Sequence, residues 1–403
     1  KKSKTLARVT WFLTFSSLKR NKKLNTLVIA ILAFSFLNVV FFDSVTNGMA
    51  EAIDSQLIDY MTGHIVIDPP DGERYIKDWR STRNKLLAFS EVVAVTPELT
   101  TTAEIRKKDK FRSPLIRAID PETQVQTKYL HEKMVAGLFL EEGDDDEILL
   151  GSDIAGGRYE KDSILPGVRI EADVGDWVTL TFSNGIEKRF KVKGIYRTQF
   201  LGLDAEAVIP LKTLQEILGT ENKASQIIVR LYNKESSSRL QTDIINSGLK
   251  ETVTSWEENA GFSRSITKSL GLIAKITGII GILTAFVTVF IVIFIKTKNQ
   301  RGQIATQRAV GISDKAIMGS YMIEALLLGI IGIIFGLMTM KFIIIYFTSS
   351  PLKLPIGDVI PVLTSATQRN SILLLLVSIL FAGYYPTKRV LKDNIIDAIR
   401  GAL

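Results

Sequence analysis

The sequence predicts an α-helical membrane protein with four transmembrane helices and a large α+β extracytoplasmic domain between the first and the second. Residues 276–295 form an apolar run of twenty residues without a charge. A helix rises about 1.5 Å per residue, so this run crosses a hydrocarbon core of roughly 30 Å. Apolar segments also lie at 24–42, 316–347 and 369–387, whereas residues 43–270 are polar and mixed in charge. In chain order, the four apolar segments are called spans one to four.

Clusters of lysine and arginine orient the spans. They lie in residues 1–23, in 296–315 between spans two and three, and in 388–403 after span four. The positive-inside rule places such clusters in the cytoplasm, and four spans bring all three to one side. We therefore expect a multi-pass protein of the cell (inner or cytoplasmic) membrane with cytoplasmic N- and C-termini. The net charge of +8 reflects this excess. No nucleic-acid partner is expected, because the cations lie at span ends rather than in one patch.

Span one could instead be the apolar core of a signal peptide. It is 19 residues long, however, and follows a basic, amphipathic leader of 23 residues. The next residues are Asp43, Ser44 and Val45, which do not form a small-residue cleavage site. We expect span one to be retained in the membrane.

The segment between spans one and two is long enough for one or two globular lobes. It contains no cysteine, so ordinary core packing must stabilise it. Residues 43–63 and 255–275 carry apolar residues about every four positions, which predicts two stalk helices continuous with the spans. The α+β domain then occupies 64–254, and an extracytoplasmic loop at 348–368 joins spans three and four.

Alternating segments predict strands within the domain. They are residues 64–68, 178–182, 188–196 and 227–231, and short helices fit 79–90, 211–218 and 236–246. Asn184-Gly185 favours a hairpin with a type I′ turn after the second of these strands.

No catalytic constellation is found in the sequence. His64 and His131 have no acidic or histidine partner at ligand spacing, and the acidic run 143–147 lacks the spacing of a calcium loop. A phosphate-binding GxxxxGK[ST] motif is also absent from the sequence. We expect no directly bound cofactor or metal and no enzymatic activity; Mg²⁺-ATP would bind a partner subunit.

Residues 296–315 form a compact cytoplasmic elbow between spans two and three. A short polar helix is followed by Gly311-Ile312-Ser313, and the chain then returns into the membrane. Ser313 suits the N-cap of the next helix. An elbow of this length is too short to be a domain, but it suits docking into a groove on a partner.

The elbow resembles the FtsX-like permease domain of the MacB, LolC/LolE and FtsX family of ABC transporters. That family carries a helix of the form EIGILRALG, then an acidic residue and glycines in the next membrane helix. The elbow residues that match it or stand at its positions are Arg301, Gln303, Ile304, Arg308, Ala309, Val310 and Gly311. Gln303 stands where the family usually has glutamate, and Ala305 where it usually has glycine. Glu324, Gly332 and Gly336 match the helix that follows, and the C-terminal Pro386, Arg389, Ala398 and Arg400 match the family's ending.

The resemblance implies a permease subunit that works with a separate pair of ABC ATPase subunits of the LolD/MacB/FtsE kind. It also implies a dimer with a second permease copy or a paralogue, and mechanotransmission from the elbow through spans one and two to the outer domain. A LolC/LolE-like extraction of lipoproteins, with a periplasmic carrier, is favoured. The alternatives are an FtsX-like regulator of a cell-wall hydrolase and a MacB-like exporter of peptides or small molecules.

Two further sets of residues follow from this interpretation. Phe41, Phe42, Ile273 and Ile276 lie at the outward ends of spans one and two, where they could contact membrane lipid or acylated cargo. Glu324, Gly332 and Gly336 are candidates for packing between the membrane helices. Glu324 could equally sit in the bundle paired with a loop lysine.

Overall fold

The structure is a computed structural model that describes residues 2–20, 22–159, 167, 169–200, 202–354 and 357–391. The chain forms two compact units. The helical unit comprises Lys1–Ala50, Ile266–Leu352 and Val359–Leu403; the sheet domain comprises Glu51–Ser265 and Lys353–Asp358. Most of the predicted tail 388–403, with Ala398 and Arg400, lies outside the described residues.

The α-helices of the described residues are, in chain order, α1 (Lys2–Arg20), α2 (Lys22–Gln56), α3 (Trp79–Leu86), α4 (Pro121–Thr127), α5 (Ser152–Ala155), α6 (Leu211–Leu218), α7 (Ser237–Asn246), α8 (Trp256–Asn259), α9 (Gly261–Asn299), α10 (Arg301–Ala309), α11 (Asp314–Ser349) and α12 (Ser365–Val390). A π-helix, Leu57–Thr62, continues α2, and short 3₁₀ turns lie at Leu130–Lys133, Gly157–Tyr159, Leu203–Ala205 and Lys234–Ser236.

The strands are β1 (Ile65–Asp68), β2 (Val92–Lys107), β3 (Lys110–Arg112), β4 (Leu115–Ile119), β5 (Met134–Gly137), β6 (Glu147–Gly151), β7 (Trp177–Phe182), β8 (Glu187–Tyr196), β9 (Ala207–Pro210), β10 (Gln226–Leu231), β11 (Thr252–Ser255), β12 (Leu352–Leu354) and β13 (Gly357–Val359).

Four of the described helices are long and apolar enough to cross a membrane. They are α2 with its π-helical extension, the part of α9 from Gly271, α11 and α12. These helices carry spans one to four, and a large domain with helices and strands lies between the first and the second in the chain. The predicted fold class is confirmed. Helix α12 begins four residues before the predicted span four, because Thr364 caps it by accepting a hydrogen bond from the Thr367 N–H at 3.1 Å.

Small residues set the packing of the membrane helices. A Cβ added at Gly332 would lie 2.9 Å from the Leu32 Cβ, and one at Gly336 would lie 2.7 Å from the Phe36 Cδ1. Helix α11 therefore approaches α2 at these two glycines more closely than any larger residue permits. Both glycines are buried.

The sheet domain is built on one mixed sheet. Among the described strands its order is β11-β1-β10-β2-β4-β9-β6-β8-β5, with β3 pairing with β2 and β7 with both β2 and β8. The β4–β9 and β6–β8 pairs are parallel, and the other pairs are antiparallel. Strands β4 and β9 are buried along almost their whole length. Leu86, Leu214 and Leu240, which lie on helices, belong to the same hydrophobic core.

The turn between β7 and β8 corrects the predicted type I′ geometry. Gly185 adopts a φ of +82°, whereas Asn184 does not have a positive φ. The Gly185 N–H donates to the Phe182 carbonyl at 2.9 Å, and the Phe182 N–H donates to the Ile186 carbonyl at 3.0 Å. The loop thus has three residues, with the single left-handed position at its last residue, as in a type I turn with a glycine bulge.

Two other predictions need adjustment. The predicted helix 79–90 ends at Leu86, and a turn leads from there into β2. The first stalk segment is helical to Thr62, but its last turn is a π-helix. The second stalk segment is not one continuous helix. It consists of the short helix α8, which begins at Trp256, and the first part of α9, which begins at Gly261. Leu57 and Ile58 pack with Trp256 and Ala260, so the two segments meet at this end.

A buried ionic network lies under the middle of the sheet. Glu98 on β2 accepts from the Lys128 Nζ at 2.6 Å and from the Arg117 Nη1 at 2.7 Å. Gln226 donates to the same carboxylate at 2.7 Å, and Arg117 also binds Glu206 at 2.8 Å. Burial alone would raise the pKa of Glu98, but Lys128 and Arg117 outweigh it and hold the pKa at about 2. Sequence periodicity gave no sign of this network.

His64 is a structural acceptor at the start of β1. Its Nδ1 accepts the Leu231 N–H at 2.9 Å, which requires that nitrogen to be unprotonated. Burial, together with the nearby Arg230 and Lys234, lowers the pKa of His64 to about 4. His64 lies directly before the first residue of β1, so this contact joins the start of β1 to the end of β10.

The depressed pKa of His64 predicts a stability that depends on pH. The unfolded chain binds a proton near pH 6.5 that the folded chain takes up only near pH 4. The His64 contribution is therefore full above pH 6.5 and is lost as the pH falls towards 4, by up to about 3 kcal/mol. Urea unfolding of the chain at several pH values measures this. Carboxylates titrate in the same range, so the difference between the parent and His64→Gln isolates the effect. An equal pH slope in both proteins would contradict it.

Candidate functional site

The elbow is a short helix held between two long ones. Helix α9 ends at Asn299, α10 runs from Arg301 to Ala309, and α11 begins at Asp314. The Gly311 N–H donates to the Arg308 carbonyl at 3.0 Å, and the Ile312 N–H donates to the Gln307 carbonyl at 3.0 Å. This is the Schellman arrangement, which needs a left-handed residue, and Gly311 has a φ of +94°. Glycine at 311 therefore ends α10 and turns the chain back.

Ser313 starts the return into the membrane. Its Oγ accepts a hydrogen bond from the Ala316 N–H at 3.3 Å, which confirms it as the N-cap of α11. The Asp314 carboxylate in the first turn of α11 binds the Arg308 Nε at 2.9 Å, so Arg308 links the end of α10 to the start of α11.

One face of the elbow is buried. Ile304 packs with Ile317, Tyr321 and Leu391, and Ala305 beside it is also buried. The Tyr321 hydroxyl donates to the Gln300 Oε1 at 2.7 Å, across the junction of α9 and α10. The methyl group of Ala305 forms part of this packed face. The buried face fixes α10 on α11.

The other face of the elbow is open. Gln303, Ala309, Val310 and Gly311 are exposed, and 78% of the Val310 surface is accessible. Arg301 is half-buried. Of the elbow residues singled out in the sequence, Ile304 and Arg308 thus hold the elbow together, and the exposed four form its outer surface. Val310 is the C-cap residue of α10 and lies on the accessible side of this turn.

Glu324 lies inside the helical bundle and forms an ion pair with Lys296 from the end of α9. Both side chains are buried. They line a small cavity with Asn25, Val289, Tyr321 and Leu328, which come from α2, α9 and α11. Lys296 is one of the cations that orient span two, and it lies in the last turn of α9 rather than in a loop. The ion pair ties span two to span three directly beside the elbow.

Breaking this ion pair should destabilise the helical unit. Glu324→Leu leaves the Lys296 ammonium buried without its partner, at a cost of about 2 kcal/mol near the end of a span, where lysine can partly reach the interface. The double variant Lys296→Met/Glu324→Leu should recover most of that loss. Thermal unfolding in detergent measures the double-mutant cycle. Strictly additive effects would mean that the two groups do not interact.

The predicted lipid-facing residues lie on two packed helices. Val39 of α2 packs against Gly278 and Gly281 of α9, where added Cβ atoms would lie 3.9 Å and 2.8 Å from its methyl groups. Phe42 of α2 and Ile273 and Ile276 of α9 are exposed, and Phe41 packs partly against the bundle core. Along their helices, the two phenylalanines follow Val39 within a turn, and the two isoleucines precede Gly278 within about a turn and a half.

Sequence reasoning found Glu324 but not which lysine it contacts. Lys296 and Glu324 are 28 positions apart, and only the packing of α9 on α11 brings them together. The contact between Tyr321 and Gln300 was missed for the same reason. The only signal in the sequence was an acidic residue inside an apolar run with basic residues at both flanking ends.

Family comparisons match two segments of the chain. Residues 26–247 match the model of the MacB-like periplasmic core domain, and residues 275–395 match that of the FtsX-like permease C-terminal region. The first match covers most of the sheet domain and most of α2, and the second covers most of α9, the elbow, α11 and α12.

Two bacterial LolC proteins are similar to most of the chain. The lipoprotein-releasing system transmembrane protein LolC of Xylella fastidiosa (strain Temecula1) is 22% identical over 307 residues, which are 73% of this chain and 70% of that protein. The LolC of Neisseria meningitidis serogroup B is 23% identical over 329 residues, which are 76% of this chain and 74% of that protein.

Solved structures also resemble part of the chain. The periplasmic region of MacB from Actinobacillus actinomycetemcomitans is 16% identical, with 52% of this chain and 95% of that chain covered and a TM-score of 0.36. The extracellular domain of the transporter YknZ from Gram-positive bacteria is 16% identical, with 48% and 97% covered and a TM-score of 0.33.

Proposed function

Because this chain belongs to the MacB/LolC/FtsX family of ABC transporter permeases, we propose that it releases lipoproteins from the membrane, driven by ATP hydrolysed on separate subunits. It is a multi-pass membrane protein and a permease subunit. In the proposed complex, two permease chains, identical or paralogous, work with two ATPase subunits that bind Mg²⁺-ATP. The elbow and both termini then face the cytoplasm, and the sheet domain lies outside it.

The rigid mounting of the elbow carries this proposal. Helix α10 is fixed to α11 by the Ile304 cluster and the Arg308–Asp314 pair, and α9 is fixed to α11 by Lys296 and Glu324. A push on the exposed Val310 is therefore transmitted to spans two and three together instead of being absorbed by a loop. Closure of an ATPase dimer supplies such a push.

Two observations favour lipoproteins as the cargo: the similarity to the LolC proteins, and an exposed apolar surface beside the α2–α9 contact. Both LolC proteins are described as parts of lipoprotein-releasing systems. Phe42, Ile273 and Ile276 offer exposed apolar surface beside the α2–α9 contact, which suits acyl chains that leave the bilayer.

The test is cargo-stimulated ATPase activity of the reconstituted complex. An acylated lipoprotein should stimulate hydrolysis, and the same protein without its acyl chains should not. Replacing both Ile273 and Ile276 by alanine should reduce that stimulation. Ile345→Ala on α11 is the control, because Ile345 is exposed to a similar degree on another membrane helix. Equal stimulation by delipidated cargo would overturn lipoprotein release. Stimulation by a cell-wall hydrolase or by a small peptide would point to regulation or export instead.

A further inference from the structure

Helix α1 turns small polar side chains towards the bundle. Thr10 and Thr14 are buried, and the Thr14 Oγ1 donates to the Ser320 carbonyl of α11 at 3.2 Å. A Cβ added at Gly319 would lie 3.2 Å from the Thr10 Cγ2, so the two helices approach closely at that turn. The Asn25 side chain donates to the Leu18 carbonyl at 3.0 Å and joins the end of α1 to α2. Helix α1 is therefore fixed against the first two turns of α11.

The opposite face of α1 is aromatic and open. Trp11, Phe12 and Phe15 are 45%, 74% and 53% exposed. The Trp11 and Phe15 rings stack with centroids 5.6 Å apart. A helix in water buries its aromatic face and exposes its threonines, so this arrangement is reversed. Three rings on one helix face need an apolar cover.

The charge of the segment identifies that cover. Residues 1–42 contain no aspartate or glutamate. Lys19, Lys22 and Lys23 are exposed at the junction of α1 and α2, and the sequence adds Lys2, Lys4 and Arg8. Aromatic residues on one face and cations around it are the features of a helix that lies in an anionic bilayer surface. Helix α2, which carries span one, begins at Lys22, so α1 is attached where the chain enters the membrane.

We propose that α1 is an interfacial helix that binds anionic phospholipid and ties the elbow end of α11 to the membrane surface. The aromatic rings enter the headgroup region, and the cations contact lipid phosphates. Helix α1 contacts α11 at Gly319 and Ser320, within two turns of the N-cap residue Ser313. Lipid bound to α1 therefore restrains the movement of α11, the helix that the elbow moves. This inference does not depend on what the transporter carries.

The chain's lack of cysteine makes the test direct. In the full chain, the variant Phe12→Cys has a single cysteine, which is labelled with a polarity-sensitive fluorophore. The labelled protein is reconstituted in nanodiscs of phosphatidylcholine with or without phosphatidylglycerol. We expect emission shifted to the blue, quenching by spin-labelled lipid rather than by iodide, and a larger shift with phosphatidylglycerol. Thr306→Cys, exposed on α10, is the aqueous control and should stay open to iodide. Ser16→Cys, exposed on α1, serves as a second position.

The lysines provide the matched variant. Lys19→Gln/Lys22→Gln/Lys23→Gln should remove the phosphatidylglycerol-dependent part of the shift and leave the Thr306→Cys signal unchanged. Labels at Phe12 and Ser16 that are as open to iodide as the one at Thr306, in both lipids, would overturn the proposal. So would shielding that appears only when an ATPase subunit is added or only at dimer-forming concentrations, since a protein would then be the occupant.

Discussion

Val310→Asp should abolish productive coupling to the ATPase while leaving the permease folded. Val310 is 78% exposed and lies directly before the Gly311 turn. A carboxylate that loses its water in an apolar interface costs about 2–4 kcal/mol, which weakens ATPase binding by roughly a hundredfold. Co-purification of the ATPase and permease-dependent ATP hydrolysis are the measurements.

Tyr232→Asp is the matched control for this variant. Tyr232 is 79% exposed, on the sheet domain far from the elbow in sequence. The same charge on an equally exposed residue should leave ATPase binding unchanged. If Val310→Asp and Tyr232→Asp bind the ATPase alike, the elbow apex is not the docking surface. If Val310→Asp also lowers the thermal stability of the chain, the effect on binding has a different origin.

Glu98→Leu should destabilise the sheet domain by about 3–5 kcal/mol. The substitution leaves Lys128, which is fully buried, without its carboxylate, whereas Arg117 keeps Glu206. Glu104→Leu on the same strand is the control, because Glu104 pairs with the exposed Arg106 and should cost less than about 1 kcal/mol. Urea unfolding of the chain measures both. Adding Lys128→Met to Glu98→Leu should restore much of the loss.

Equal effects of Glu98→Leu and Glu104→Leu would contradict the importance of the buried network. A Glu98 effect that persists below pH 2 would contradict its electrostatic origin. With a folded pKa of about 2, the carboxylate contributes fully above its unfolded pKa of 4.5 and loses that contribution as the pH falls between those values.

The membrane part of the fold could be predicted from the sequence because its signals are local. An uncharged apolar run of twenty residues and the cations that follow it specify a helix and its ends without reference to the rest of the chain. The Schellman turn at Gly311 and the cap at Ser313 are equally local. Short strands such as β7, β8 and β10 were predicted to within a residue or two, since their alternation reflects one buried face.

The centre of the sheet could not be predicted in the same way. Strand β2 contains Pro97 and Glu98, which argue against a central strand. Pro97 is tolerated because the pairing of β2 with β4 begins only at Glu98. At Pro97, β2 is therefore paired with β10 alone. Glu98 is tolerated because Lys128 and Arg117 arrive from elsewhere in the chain. Both facts depend on tertiary contacts, as does the pairing of Lys296 with Glu324.

Site-specific photo-crosslinking from Val310 in intact cells tests the central claim most directly. A photoreactive amino acid at 310 should yield an adduct with a protein that carries the phosphate-binding motif of an ATPase. The same probe at Tyr232 should not yield that adduct. Adducts with such an ATPase from 310 alone are the result the account predicts. Adducts with lipid only, or no ATPase adduct from 310, would contradict the elbow as the coupling site.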